Sequence, residues 1–290
     1  MTLTRSSPGK VNLLLNILGR RPDGFHALET VMQPVRVCDT LHFTRGGHAV
    51  ELTCDSPALP VDGRNLVVRA AEKFRAAAGV RDGVKIHLEK RLPLAAGLGG
   101  GSANAAVTLR ALNELFDQPL APAALTALAA ELGSDVPFFL QDGPALATGR
   151  GEQVQPLPPF PALRGAGLLL AHPGFGVETA WAYRELARFP AALNGQPGRA
   201  QRLVGLLNGA DLTAAGAEFY NSLEAPVLTK FPVLALYQEF LRAHGAVATL
   251  MSGSGSTTFA VFASKAAAEA AREPFQREFG AAGWLVVAEL

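Results

Sequence analysis

Cysteine is scarce in this 290-residue chain: only Cys38 and Cys54 occur, with no CxxC spacing and no histidine cluster beside them. Two thiols make no disulfide framework, and a four-ligand zinc site lacks partners. They read as reduced thiols of a cytoplasmic protein. Excess charge is missing as well. The 26 Lys and Arg are balanced by 25 Asp and Glu, for a formal net charge of +1. The basic residues are scattered among acidic ones, so the electrostatic case for nucleic acid falls away. Long apolar runs are also absent. Val11–Leu18 is short, contains Asn12 and Asn16, and is followed by Arg20, Arg21 and Asp23 with no small-residue cleavage site. Neither a secretory signal nor a membrane span, which needs about 20 apolar residues, is expected.

What is present is a globular composition, 49% hydrophobic and 18% charged, enough for a substantial core in two modest domains or one large one. Val11–Leu18 reads as a buried strand, and Asp39–Arg45, Val50–Thr53 and Val84–Glu89 read as alternating ones. Leu66, Val67, Ala70, Ala71 and Phe74 recur at helical spacing, with Asn65 as N-cap and Gly79 as terminator. Ala103–Phe116 and Pro122–Leu132 follow as helices. Four prolines in the seven residues of Gln155–Pro161 mark a boundary between domains at 1–154 and 155–290. Beyond it, Gly167–Ala171, Ala248–Met251, Thr257–Phe262 and Trp284–Ala288 read as strands. Leu223–Gly245 is helical with a break at Lys230–Pro232, and Lys265–Phe279 is another helix. Hairpin-like pairs mixed with helices favour α+β over a doubly wound parallel sheet.

Between a strand and a long helix lies Pro93-Leu94-Ala95-Ala96-Gly97-Leu98-Gly99-Gly100-Gly101-Ser102-Ala103. Four glycines in five positions permit positive φ and leave no Cβ in the way, so successive N–H groups can converge on phosphate oxygens. The helix that follows adds unsatisfied N–H groups and the positive end of its dipole. Ser102 supplies a hydroxyl for a phosphate oxygen or a bound Mg²⁺. A Walker A loop would end in Gly-Lys-Ser/Thr, which is missing. A dinucleotide fingerprint would want an acid about 20 residues on, and Gln118–Ala127 has none. A bare flexible turn is the remaining alternative.

Three ordered blocks resemble the GHMP kinases, the superfamily of galactokinase, homoserine kinase, mevalonate kinase and phosphomevalonate kinase. They are Pro8-Gly9-Lys10-Val11-Asn12, the glycine loop, and Met251-Ser252-Gly253-Ser254-Gly255-Ser256. Arg21-Pro22-Asp23-Gly24-Phe25-His26 and Gly133-Ser134-Asp135-Val136-Pro137-Phe138 are similar to the branch that phosphorylates 4-(cytidine 5′-diphospho)-2-C-methyl-D-erythritol. A galactokinase-like chain would carry Glu-His-Thr-Asp soon after the first block. Gly9 stands where that branch usually has Ala, Ala95 and Ala96 where it has more glycine, and Phe25 where Tyr is common.

The resemblance implies a ribosomal-protein-S5-like first half, a ferredoxin-like second half, and transfer of the γ-phosphoryl of ATP, with Mg²⁺, to the 2-hydroxyl of that cytidylyl compound. It implies binding of the nucleotide by residues 93–103 with Asn65 near the adenosine, although Asn65 would serve equally as a cap. Asp135 would be the base that takes the alcohol proton, and Lys10 its coupled partner against the acceptor hydroxyl. From the residues alone, Asp135 could instead cap a turn and Lys10 could be a solvated strand end. Asn12 would donate to the substrate diphosphate. Phe25 and His26 would form the cytidine pocket, Thr179 would lie near the phosphates, and Tyr183 would cover the other face of the base, with Trp181 as the competing stacker. Ser252–Ser256 could close on the phosphates or be only a tight turn. A homoserine or mevalonate kinase is the alternative within the superfamily. A small-molecule enzyme, monomer or homodimer, with no nucleic acid or membrane partner, is the expectation.

Overall fold

A computed structural model describes residues 2–280 and 283–290. Two long neighbouring strands open the fold: β1 (Thr2–Arg20) and β2 (His26–Arg45). Both outrun the expected Val11–Leu18 and Asp39–Arg45. The first residues of β1 alternate between exposed and buried, whereas Gly9–Ile17 are all buried. Hydropathy therefore advertises only the second stretch, where both faces are covered.

The chain divides into two compact units. The first comprises Met1–Gly9, Val37–Leu92 and Gly99–Asp142. It contains β3 (Val50–Cys54), α1 (Leu66–Ala78), β4 (Val84–Glu89), α2 (Gly100–Leu115) and α3 (Pro122–Leu132). β4 lies between β2, to which it is antiparallel with Leu41 opposite Leu88, and β3, to which it is parallel. Val84, Ile86 and Leu88 point into the core while Lys85 and His87 point out, the period-2 pattern of a half-buried strand. Asn65 caps α1: its Oδ1 accepts from Val67 N at 2.9 Å, and its Nδ2 donates to Pro60 O at 2.7 Å. Gly79, at φ +65°, closes the helix in the left-handed conformation that an L side chain resists.

The second unit comprises Lys10–Arg36, Pro93–Leu98 and Gly143–Leu290. The proline run Gln155–Pro161 lies inside it. β5 (Ala145–Thr148) pairs with β2 and with β6 (Gln153–Pro156). β7 (Gly167–His172) and α4 (Thr179–Glu185) follow. The two-residue β8 (Tyr220–Asn221) runs parallel to β1, Tyr220 opposite Leu14. β9 (Ala248–Met251), β10 (Thr258–Phe262) and β11 (Trp284–Glu289) complete an antiparallel sheet of order β11-β7-β10-β9. Helices separate β7 from β9, and the helix Lys265–Phe279 separates β10 from β11. This β-α-β-β-α-β order is the ferredoxin-like motif expected for the second half. Phe262, Leu169, Leu241 and Phe275 are among its core residues. The helical stretch is broken where expected, Glu224–Lys230 and Val233–Ala243 being separated at Phe231–Pro232. Among the described residues no helix is long and apolar enough to cross a membrane.

Loss of the Asn65 cap is a direct test of how α1 starts. Asn65→Ala is expected to cost about 1 kcal/mol, and Asn65→Ser, which keeps a capping oxygen, to recover most of it. Urea unfolding midpoints check this; equal losses in both variants would contradict it.

Candidate active site

The glycine loop leaves β4 and enters α2. Gly97 and Gly99 have φ of +76° and +70°, and Ala95 is held at +50°. Left-handed backbone costs an alanine about 1 kcal/mol or more, so the loop carries strain where a glycine would carry none. Gly97 is demanded twice over, since a Cβ there would sit 2.0 Å from the Ser252 carbonyl oxygen. Gly99 is the N-cap of α2. It offers no side-chain acceptor to the first turn, and that turn contains no acidic residue. The opening N–H groups of a 16-residue helix, next to exposed Gly101 and half-buried Ser102, thus meet no capping oxygen. Such a terminus can take an anion.

Lys10 is not a solvated strand end. It is 3% exposed. Its main-chain N–H donates to Leu98 O at 2.9 Å, and its Nζ donates to Asn12 Oδ1 at 2.6 Å and Gly97 O at 2.7 Å. The Asn12 amide is oriented in turn. Its Nδ2 donates to Thr30 Oγ1 at 2.9 Å, and that hydroxyl donates to Leu14 O, so Oδ1 is the end that faces the ammonium. The first sequence block and the loop therefore meet through one lysine.

The late glycine turn joins them. Ser252–Ser256 are all buried. Ser252 Oγ donates to Gly97 O at 2.9 Å, and Thr257 N donates to Ala96 O at 3.2 Å. A Cβ on Gly253, at φ +56°, would lie 3.1 Å from both Lys10 Nζ and Gly97 O. The turn is held from behind by Asn221, whose Nδ2 donates to Met251 O and Gly253 O at 2.7 Å each. Thr179, at the start of α4, shares a 2.8 Å hydrogen bond with Ser254 Oγ. Three blocks distant in sequence thus converge on the carbonyl of Gly97.

A second set of residues surrounds the turn at Gly24 (φ +87°). Phe25 is 49% exposed, and the Arg150 guanidinium lies 4.9 Å over its ring. His26 and Tyr183 have ring centroids 5.2 Å apart, tilted by 37°. Partial burial, with a smaller contribution from the charge of Arg20, holds the His26 pKa below the ordinary imidazole value. Trp181 instead packs edge-on against Phe231 at 6.1 Å with Lys230 Nζ 4.0 Å over its indole. Of the two competing aromatics, Tyr183 is the one beside His26.

Asp135, in the first unit, is partly buried in the turn after α3, where Val136 N donates to Gly133 O at 3.2 Å. The short 3₁₀ segment Pro137–Leu140 that follows carries no side-chain cap. Asn65 is engaged at both ends of its amide in starting α1. Sequence reasoning missed Arg150, Thr30 and Asn221. Arg150 sits between two glycines that signalled only a turn. Asn221 lies in a two-residue strand without periodicity.

Residues 65–143 match the family described as "GHMP kinases N terminal domain", and residues 191–282 match "GHMP kinases C terminal". A 4-diphosphocytidyl-2-C-methyl-D-erythritol kinase of Pelotomaculum thermopropionicum is 45% identical over 266 residues, 91% of this chain and 90% of that relative. A crystal structure of a 4-(cytidine 5′-diphospho)-2C-methyl-D-erythritol kinase superposes with a TM-score of 0.79 at 34% identity, covering 99% of this chain and all of that one. A homoserine kinase from Cytophaga hutchinsonii reaches a TM-score of 0.77 at 21% identity over 100% of this chain and 95% of its own, a likeness of fold.

Two glycine substitutions separate folding from ligand binding. Gly101→Ala meets only Leu66 Cδ1, at 3.6 Å. It is expected to keep or raise stability by up to about 1 kcal/mol while weakening ATP binding at least ~10-fold through the added methyl. Gly97→Ala is expected to damage both. Thermal melts and calorimetric titration with ATP check this, and Gly101→Ala binding ATP normally would remove the loop from nucleotide binding.

Proposed function

We propose, since the chain belongs to the GHMP kinase family and within it to the 4-diphosphocytidyl-2-C-methyl-D-erythritol kinases, that its loop 93–103 holds ATP for phosphorylation of the cytidylyl methylerythritol 2-hydroxyl. The observation that carries this reading is the uncapped start of α2 preceded by two left-handed glycines, with Lys10 bonded to the loop carbonyl of Gly97. Amides 97–102 cradle the phosphates, and the transferred group moves to the acceptor oxygen through a loose transition state in which positioning and charge stabilisation dominate. Asp135 takes the acceptor proton as the new P–O bond forms and the bond from the γ-phosphorus to the departing ADP oxygen breaks. Lys10 faces the charge that builds on the reacting oxygens, with Asn12 beside it toward the substrate diphosphate and Thr179 near the phosphates.

Among the described residues there is no group of three or more His, Cys, Asp or Glu that could hold a metal. This fits Mg²⁺, which is usually bound by nucleotide phosphates and water with one or two protein oxygens; Ser102 would supply one. When bound, the ion supplies charge neutralisation between the phosphates.

Phe25 and Tyr183 would stack on the cytosine, and His26, kept neutral, would read its edge with one donor and one acceptor nitrogen. Losing the tyrosine hydroxyl common at position 25 leaves the stacking face intact. The family halves meet between residues 143 and 191, and we set their boundary at 154–155. Cys38 and Cys54, both free, suit a cytoplasmic enzyme.

An ADP-release assay across cytidylyl methylerythritol, homoserine, mevalonate and galactose tests the acceptor: only the first is expected to turn over well, and preference for any other would overturn the assignment. In the same assay Asp135→Ala is expected to lower kcat by about 10²–10⁴-fold with ATP affinity retained. Near-normal turnover would remove Asp135 as base. The acceptor's KM is expected to be flat above pH 6.5 and to rise as pH falls below it, because the lowered His26 pKa postpones protonation to more acidic solution. A profile that His26→Gln leaves unchanged would contradict the edge-reading role.

A further inference from the structure

We propose that Asp39 is a positioning residue of the phosphate loop, fixing the separation of its two stems from within the first unit. The proposal rests on the reading that the loop holds ATP. Asp39 is completely buried at the centre of β2. Its Oδ1 accepts from Arg91 N at 2.8 Å and Leu92 N at 2.9 Å. Its Oδ2 accepts from Asn104 Nδ2 at 3.1 Å and from the Lys90 ammonium. Leu92 is the last residue before Pro93, and Asn104 is the first after Ala103. One carboxylate therefore holds both ends of the eleven-residue segment Pro93–Ala103.

The charge arrangement fits that task. A lone buried carboxylate beneath a triphosphate would repel it, and the repulsion grows in a low-dielectric interior. Lys90, whose side chain is 7% exposed, cancels that charge. Its Nζ lies 3.4 Å from where a Cβ of Gly100 would be, directly under the first turn of α2. The pair is thus a neutral, fully bonded support: rigid because four donors converge on one group, and electrostatically silent toward the anion. Removing one partner strands the other, which costs more than removing both. Asn104 Oδ1, buried and without a hydrogen-bond partner, completes the picture. If the carboxylate became an amide, the Asn104 side chain could turn over and accept from it.

The test compares KM for ATP, KM for the acceptor and melting temperature in Asp39→Asn, Lys90→Met, the double variant and Gly101→Ala. Asp39→Asn sets an amide nitrogen against the ammonium, and is expected to raise KM for ATP about 10-fold or more, with the acceptor's KM changed less than ~2-fold. The double variant, in which no charge is left unpaired, is expected to return KM for ATP to within ~3-fold of the parent. An unchanged KM for ATP in Asp39→Asn, equal shifts for both substrates, or a double variant no better than the single would overturn the proposal. Should Asp39→Asn fail to fold, Asn104→Ala cuts only the helix-side tie. A rise of about 3-fold in KM for ATP alone is then expected, and no rise overturns the proposal. Gly101→Ala guards the premise: if it leaves ATP binding normal, the loop reading has failed, whereas a response in Gly101→Ala without one at Asp39 sinks only the positioning role.

Discussion

The carbonyl group of Gly97 is the point on which the second unit's part of the site depends. It accepts from the Lys10 ammonium at 2.7 Å and from Ser252 Oγ at 2.9 Å, so β1 and the glycine turn between β9 and β10 meet on one oxygen. The meeting requires that residue 97 have no side chain, because its Cβ would occupy the position of the Ser252 carbonyl. Each contact tightens the others. Gly253 leaves room beside Lys10, Asn221 fixes the carbonyl of Gly253, and Thr30 turns the Asn12 amide so that its oxygen meets the ammonium. A buried lysine is costly unless its hydrogens are matched, and here carbonyl and amide oxygens contribute to that matching. They fix where the ammonium sits.

What the sequence disclosed followed from how strongly each element is determined locally. The first helix was legible to its caps, because Asn65 and Gly79 act within a few residues of themselves. The glycine loop was legible as a turn entering a helix, because four glycines in five positions precede a long run of helical apolar spacing. The ferredoxin-like sheet showed through its continuous apolar strands, all of whose residues from Thr258 to Phe262 are buried. By contrast, the opening half of β1 alternates with polar residues that carry no strong signal. The helix Arg199–Leu207 buries only Ala200, Leu203 and Leu207, too short a stripe to stand out between Gly198 and Gly209. Likewise Asp39, Arg150 and Asn221 matter through partners 30 to 125 residues away, whose positions no local pattern encodes. The turn at Ser252–Ser256 was ambiguous for the same reason: only its contacts with Ala96, Gly97 and Lys10 distinguish it from a plain entry into a strand.

Ala95 shows how closely the loop is determined by its surroundings. It holds the left-handed conformation at φ +50°. The loop did not relax to suit its side chain. Gly176 approaches it so closely that a Cβ on that glycine would lie 2.7 Å from the Ala95 methyl. The neighbouring segment has given up its own side chain to make room, and a strained residue persists only where such packing over-determines it.

The absence of a lysine inside the loop now has a physical reading. A Walker A loop carries its cation within the phosphate cradle. The loop Pro93–Ala103 has no lysine within it, and the lysines that touch it come from outside. Lys10 is bound to the loop through a carbonyl, whereas Lys90 lies beneath Gly100 with its charge cancelled by Asp39. Two lysines thus touch one loop through different acceptors. Lys10 donates to the neutral oxygens of Asn12 and Gly97. Lys90, fixed by a carboxylate, spends its charge on the rigidity of the support.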